Sequence, residues 1–359
     1  MADLPTTMHA ARLHALPSED SPLPDVRLDE VAVPQPGPGQ VLVEVLACGV
    51  CASDLHVVAG VTPAGELPQI LGHEAVGDVA AVGDGVDDWM VGDRVLVLPA
   101  WPCGRCAYCT GGRENLCRAL RVPGVDVDGA QAGFTLADHR VLTHVPRSVP
   151  VEQAGILVDA VATPYHALKR AGVTQGSTVA IVGLGGLGMH AIQLARLAGA
   201  ATIVGVDIDP VNLERATEWG ADAVVDASDG KPARRVRELT EGGVEKSIEF
   251  VGRNETIDQA VKMLAPGGRA VVVGLTPERL ETLPSALLVS NELEVVGSFG
   301  STMQDVNELV DLLDAGRLDL SRSVTHTYEP EGFTDALQQL AERRDHPIRI
   351  VVDWRRDDT

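Results

Sequence analysis

Between about residue 26 and residue 150, short Val-rich runs alternate with glycine and proline, as at Gln40 to Leu46, Gly92 to Leu98 and His139 to Val145. Brief apolar runs broken by turn formers predict an irregular, antiparallel β domain. The texture changes near Ser177. From there, apolar runs at Thr178 to Val182, Thr202 to Val206, Ala223 to Val225, Ser247 to Phe250, Ala270 to Val273 and Leu293 to Val296 alternate with helical patterns. Strands that are apolar throughout are buried on both faces, so this stretch predicts a doubly wound parallel sheet. Helices are expected at Gln304 to Leu313 and Phe333 to Ala341, and a closing strand at Ile348 to Val352.

A chain of 359 residues exceeds one comfortable core, which agrees with two textures and two domains. Its net charge of -22 repels phosphate backbones and anionic membrane surfaces, so neither nucleic acid nor membrane is an expected partner. Met1 to Ala11 has no basic segment followed by an apolar one, and no later run is long enough to span a bilayer. A cytoplasmic protein is expected. Four of the six cysteines crowd between Cys103 and Cys117, where metal binding is a better use for them than disulfides in a reducing compartment.

The strand Thr178 to Val182 runs directly into Gly183-Leu-Gly185-Gly-Leu-Gly188 and then into a helical run, Met189 to Ala198. The first glycine permits a tight turn, the second admits a pyrophosphate to the backbone, and the third lets helix and strand pack closely. The free N–H groups at the helix start then face the phosphates. Asp207 ends the next strand, where a carboxylate accepts hydrogen bonds from a ribose diol and repels a 2′-phosphate, which favours NAD over NADP. Alternatively Asp207 caps the helix that begins at Pro210, a task Asp209 could equally perform.

Cys103, Cys106, Cys109 and Cys117 offer four soft ligands within one loop, spaced for a tetrahedral ion. A shell of four thiolates leaves no open position, so the expected zinc is structural; a disulfide pair or an iron-sulfur cluster is the alternative. A second, dispersed set comprises Cys51-Ala-Ser53-Asp54-Leu-His56, Gly72-His73-Glu74 and Asp159. Cysteine, histidine and carboxylate together leave a zinc position free for an oxygen ligand, although singly Cys51 and His73 would be ordinary core residues. Cys48 is assigned to packing.

With these segments, and with Gly92-Asp-Arg-Val95 and Thr163-Pro-Tyr-His-Ala-Leu168, the chain resembles the zinc-containing medium-chain alcohol dehydrogenases over nearly its whole length. The resemblance implies an α/β architecture: a GroES-like catalytic domain, residues 1–160 and 300–359, and an inserted Rossmann nucleotide domain, residues 161–299. It implies two zinc ions per chain, NAD, a small alcohol or carbonyl substrate, and a homodimer or homotetramer. By position, Cys51, His73 and Asp159 become catalytic zinc ligands. Ser53 receives the substrate proton and His56 passes it on. Asp54 supports His73, Glu74 lies behind the metal, and Arg349 contacts the cofactor pyrophosphate unless it is an ordinary surface residue. Many relatives carry cysteine at the position of Asp159, and some place a basic residue at that of Ala52. A helix cap is the competing role for Asp159. Trp101 is either an apolar wall of the substrate pocket or packing. The rival activity is that of a polyol dehydrogenase; a non-catalytic protein retaining the fold is a more distant one.

Overall fold

Glycines with positive φ, at Gly39, Gly72, Gly92 and Gly124 among others, cut the first part of the chain into short strands. In the computed structural model, which describes residues 4–18 and 21–355, these are β1 (Thr7–Ala15), β2 (Asp25–Ala32), β3 (Gln40–Val50), β4 (Gln69–Ile70), β5 (Glu74–Val82), β6 (Arg94–Val97), β7 (Phe134–Asp138) and β8 (Leu142–His144). Next come the parallel strands β9 (Thr178–Val182), β10 (Thr202–Asp207), β11 (Ala223–Asp226), β12 (Val244–Glu249), β13 (Leu264–Val272) and β14 (Glu294–Gly297), then β15 (Val324–Tyr328) and β16 (Arg349–Asp353). The chain divides into two units, Met1–Ala160 with Ser301–Thr359, and Val161–Gly300.

In the first unit, β15, β16, β3, β5, β6 and β8 follow one another across a seven-stranded sheet, with β7 also paired to β3. Every pairing in it is antiparallel except β15 with β16. The core packs Val41, Val43, Val45, Val50, Val95 and Val97 against Ile350, Val352, Phe333 and Trp354, so the C-terminal segment completes this unit. A smaller sheet, β2-β1-β4, adds the strand β1, which lies ahead of the Val-rich stretch that begins near residue 26. The alanine-rich β1 alternates exposed and buried positions without the Val-rich texture used to find the other strands. His139 to Val145 is not one strand either. Asp138 accepts a hydrogen bond from the Arg140 amide and turns His139–Val141 into a single 3-10 turn before β8.

The second unit holds its strands in the order β11-β10-β9-β12-β13-β14, all parallel. The order reverses between β9 and β12, the switch point where such sheets open a crevice at the carboxyl ends of their strands. Val179 to Val182 are buried, as a strand covered on both faces requires.

Candidate functional site

In the first unit, β3 ends at Val50 and the chain turns through Cys51 into the helix Ala52–Val58. The Asp54 carboxylate anchors that start, with Oδ2 accepting a hydrogen bond from the Cys51 amide at 2.8 Å. Its other oxygen, Oδ1, lies 3.5 Å from His73 Nδ1. His73 precedes β5, and Glu74, the first residue of β5, is paired across the sheet with Gly49. A Cβ on Gly49 would come within 2.2 Å of Glu74 Oε2, so the glycine is what admits this carboxylate.

Asp159 approaches from a π-helical turn, Leu157–Val161, a local irregularity that often marks a functional position. Its Oδ2 lies 3.2 Å from Cys51 Sγ and 3.7 Å from His73 Nε2. The following helix, Ala162–Ala171, takes Val161 and not Asp159 as its N-cap. Arg349, at the start of β16, sits 3.5 Å from Glu74 Oε1 and 4.0 Å from Asp159 Oδ2. It is only 5% exposed, which removes the surface-arginine alternative.

The ligand atoms of Cys51, His73, Glu74 and Asp159 all lie within 4.8 Å of one another. Burial pushes the Glu74 carboxyl upward, against the pull of the Arg349 and His73 charges. Burial also raises the Cys51 thiol, aided by the Asp159 charge. Burial opposes protonation of His73, but Asp54 and Asp159 overcome it and raise its pKa. Both Glu74 oxygens and His73 Nδ1 lack a hydrogen-bond partner within bonding geometry. A buried thiol, imidazole and two carboxylates at this spacing fit a divalent cation, which would offset the cost of burying them. Ser53 is near, with Oγ 3.8 Å from Cys51 Sγ, and His56 lies one helical turn further on.

Cys48 stands apart from both clusters: its buried Sγ would lie 2.9 Å from a Cβ on Gly72, as packing requires. The second cluster gathers Cys103, Cys106, Cys109 and Cys117 within the same 4.8 Å limit. Sγ atoms of Cys106 and Cys109 are 3.4 Å apart and those of Cys103 and Cys109 are 3.9 Å apart. The edge of a tetrahedron with ~2.3 Å zinc-sulfur bonds is about 3.8 Å, so the four thiols fit a closed zinc shell. All six cysteines are unbridged, which sets the disulfide alternative aside. Trp101 bridges to Arg121, whose guanidinium lies 5.7 Å over its ring, a contact made within this lobe.

In the second unit, Gly183 takes φ +86, and a Cβ on Gly188 would approach the Gly183 carbonyl oxygen to 1.9 Å. Both glycines are therefore obligatory for this turn. The helix Gly186–Leu197 starts directly after Gly185. Asp207 ends β10 and ties into the turn, because its Oδ2 accepts from the Leu184 amide at 2.6 Å while Oδ1 accepts from Ile208 and Asp209. Asp209, not Asp207, caps the Pro210–Glu218 helix. Two exposed apolar side chains were missed in the sequence, Ile208 beside Asp207 and Val251 beside Gly183. An apolar residue outside a strand gives no periodic signal.

Known proteins supply the context. The alcohol dehydrogenase GroES-like domain matches residues 37–147 and the zinc-binding dehydrogenase domain matches residues 186–315. The chain is 31% identical to the sorbitol dehydrogenase of Bacillus subtilis (strain 168), over 97% of this chain and 98% of that one. It is 34% identical to an NAD-dependent alcohol dehydrogenase of Sulfurisphaera tokodaii, over 88% of this chain and 93% of that one. A solved structure from Sinorhizobium meliloti 1021 with NADP bound superimposes with a TM-score of 0.88 at 32% identity, covering 97% of this chain and all of the other.

Proposed function

The chain belongs to the zinc-binding alcohol dehydrogenase family, and from that premise we propose how its residues divide the work of an NAD-dependent oxidation. The reaction removes a hydride from the carbon of a small alcohol and a proton from its hydroxyl, leaving an aldehyde or ketone and NADH; the reverse direction reduces the carbonyl. The observation that carries this reading is the convergence of Cys51 Sγ, His73 Nε2 and Asp159 Oδ2, with Ser53 Oγ beside them.

Cys51, His73 and Asp159 would hold one zinc ion with a fourth position left for the substrate oxygen, and Cys103, Cys106, Cys109 and Cys117 would hold a second, closed one. At the open site zinc supplies Lewis acidity, which brings the pKa of a hydroxyl toward neutrality. Ser53 accepts the hydroxyl proton and His56, on the same face of its short helix, passes it to solvent. Asp54 orients the His73 ring so that Nε2 faces the ligand cluster. Glu74 sits behind the cluster as a carboxylate able to enter it, and Arg349 balances its charge while offering a guanidinium to the cofactor pyrophosphate.

Within the second unit, Gly183, Gly185 and Gly188 bring backbone N–H groups to a dinucleotide pyrophosphate. Asp207 takes the adenosine ribose and selects NAD. Ile208 and Val251 present apolar faces suited to a planar base. The polyol reading shares all of this chemistry, and the likeness to sorbitol dehydrogenase favours it as a second possibility. Initial rates with NAD and NADP across primary, secondary, aromatic and polyhydroxy alcohols test both readings. No turnover of any alcohol by zinc-loaded protein removes them together.

No helix among the described residues is long and apolar enough to cross a membrane. Unbridged cysteines suit a reducing cytoplasm. Strand β14 forms an edge of its sheet, and the exposed Leu287, Val289 and Phe299 lie close to it in sequence. An open edge beside apolar residues suits pairing with a second copy, and a homodimer or homotetramer is the expected assembly. Light scattering on the eluting protein measures it.

A further inference from the structure

Glu249, the last residue of β12, is wholly buried and ends its strand beside the switch point of the parallel sheet. Its Oε1 accepts three hydrogen bonds, from the Val251 amide at 2.9 Å, the Gly252 amide at 2.9 Å and Thr256 Oγ1 at 2.7 Å. Oε2 has none. One carboxylate oxygen thus fixes the turn after β12 and ties it to the start of the helix Asn254–Lys262.

That turn is the middle layer of a close backbone stack. On one side is the phosphate loop: a Cβ on Gly183 would come within 2.6 Å of Val251 Cγ2. On the other is the loop after β13, where a Cβ on Gly274 would meet the Gly252 nitrogen at 2.1 Å, and one on Gly252 would meet the Leu275 nitrogen at 2.6 Å. Glycines allow the three loops to touch, and Glu249 sets the height of the central one. Main-chain bonds reinforce the stack, since the Phe250 amide donates to the Val182 carbonyl and the Val273 amide to the Glu249 carbonyl, both at 2.9 Å.

We propose that Glu249 is a positioning residue for the dinucleotide: by holding the Val251–Gly252 turn against Gly183, it fixes the half-exposed Val251 side chain and the phosphate loop in the geometry the cofactor binds. This rests on the dinucleotide reading of the glycine loop. It concerns cofactor affinity, because the hydrogen bonds of Glu249 go to the Val251–Gly252 turn and Thr256. Burial raises the pKa of the Glu249 carboxyl against its hydrogen-bond donors, and a neutral amide of the same shape keeps an acceptor oxygen at the Oε1 position. Three donors converge on Oε1, so what the turn uses is an acceptor oxygen at that position.

The test is NADH binding followed by nucleotide fluorescence, together with steady-state kinetics, on the zinc-loaded wild type and on Glu249→Gln, Glu249→Asp and Glu249→Ala. Glu249→Gln should keep the Kd within about threefold. Glu249→Asp is one methylene short of the two amides and should raise the Kd for NADH, and the KM for NAD, by about tenfold or more, with kcat and the alcohol KM within about threefold. Glu249→Ala should match or exceed that loss, and the two-point comparison of Gln with Asp decides the matter if the alanine variant does not fold. A folded Glu249→Asp that binds NADH as the wild type does would overturn the proposal. So would a loss in Glu249→Gln as large as that in Glu249→Asp, because an acceptor oxygen at the Oε1 position would then not be enough to hold the turn. A wild type that bound no nicotinamide dinucleotide would instead remove the cofactor reading itself.

Discussion

His73 Nδ1 faces Asp54 Oδ1 at 3.5 Å, while the other oxygen of the same carboxylate holds the Cys51 amide at 2.8 Å. One buried side chain therefore positions two of the proposed zinc ligands, the histidine through its ring and the cysteine through the backbone that presents it. An arrangement of this kind fixes the tautomer and raises the basicity of a metal-binding imidazole.

Replacing Asp54 by alanine should weaken zinc retention at this site by roughly 10- to 100-fold, since an outer partner of a ligating histidine is lost together with a helix cap. Asp54→Asn keeps an acceptor for the Cys51 amide and should fall between the two. Zinc content after dialysis against a graded series of chelator concentrations provides the measurement, and wild-type retention in Asp54→Ala would sink the assignment.

Asp159 is the proposed carboxylate ligand because its oxygen meets both Cys51 and His73, while Val161 holds the N-cap position of the adjacent helix. Asp159→Ala should lose metal and activity together. Asp159→Cys should keep zinc with altered turnover, since a thiolate binds the ion but donates more charge to it. Undiminished zinc and full activity in the alanine variant would take Asp159 out of the shell.

Glu74 and Arg349 form a buried pair separated by 3.5 Å. Removing Glu74 takes away the nearest carboxylate and leaves the interior guanidinium to the more distant Asp159 and to Cys51, so Glu74→Ala should lower stability by about 3 kcal/mol. Glu74→Leu with Arg349→Met should recover most of that stability, read as the midpoint of urea unfolding, but should bind NADH poorly if Arg349 contacts the pyrophosphate.

Asp207 carries two expectations. Its carboxylate repels a 2′-phosphate and also holds the Leu184 amide of the glycine loop. Asp207→Ala should therefore raise the KM for both cofactors while narrowing the ratio of kcat/KM between NAD and NADP. A higher kcat/KM with NADP in the unaltered enzyme would refute the selection argument, and the NADP-bound Sinorhizobium meliloti relative makes that comparison worth running first.

Chelation should empty the two proposed zinc sites in order. The open cluster, Cys51, His73 and Asp159, exchanges ligands more readily than the closed shell of four thiolates, whose loss is coupled to local folding. Turnover should vanish while about one equivalent of zinc remains, and the second should leave with a change in far-ultraviolet circular dichroism. Simultaneous loss of both ions would contradict the division of labour.

The sequence by itself determined the parallel sheet, because strands covered on both faces are predominantly apolar, and β9 matches its expected bounds of Thr178 to Val182. It also determined the four-cysteine cluster, since ligands within one loop are constrained by chain length alone. Tertiary structure decided the rest. The strand β1 escaped because alternation through alanine is weak, and the turn at His139 depends on one Asp138 hydrogen bond that no periodicity records. Arg349 could be told from a surface residue only once β16 had paired with β3 and placed it against Glu74. Glu249 gave no motif at all. Its consequence lies in two amides and a hydroxyl that meet its carboxylate only after β12 has taken its place between β9 and β13, and in a contact of the Val251 side chain with Gly183 that needs the sheet to exist. Local spacing can specify a turn or a loop of ligands, whereas a buried charge acquires its partners from strands far apart in the chain, and only the folded register says which ones they are.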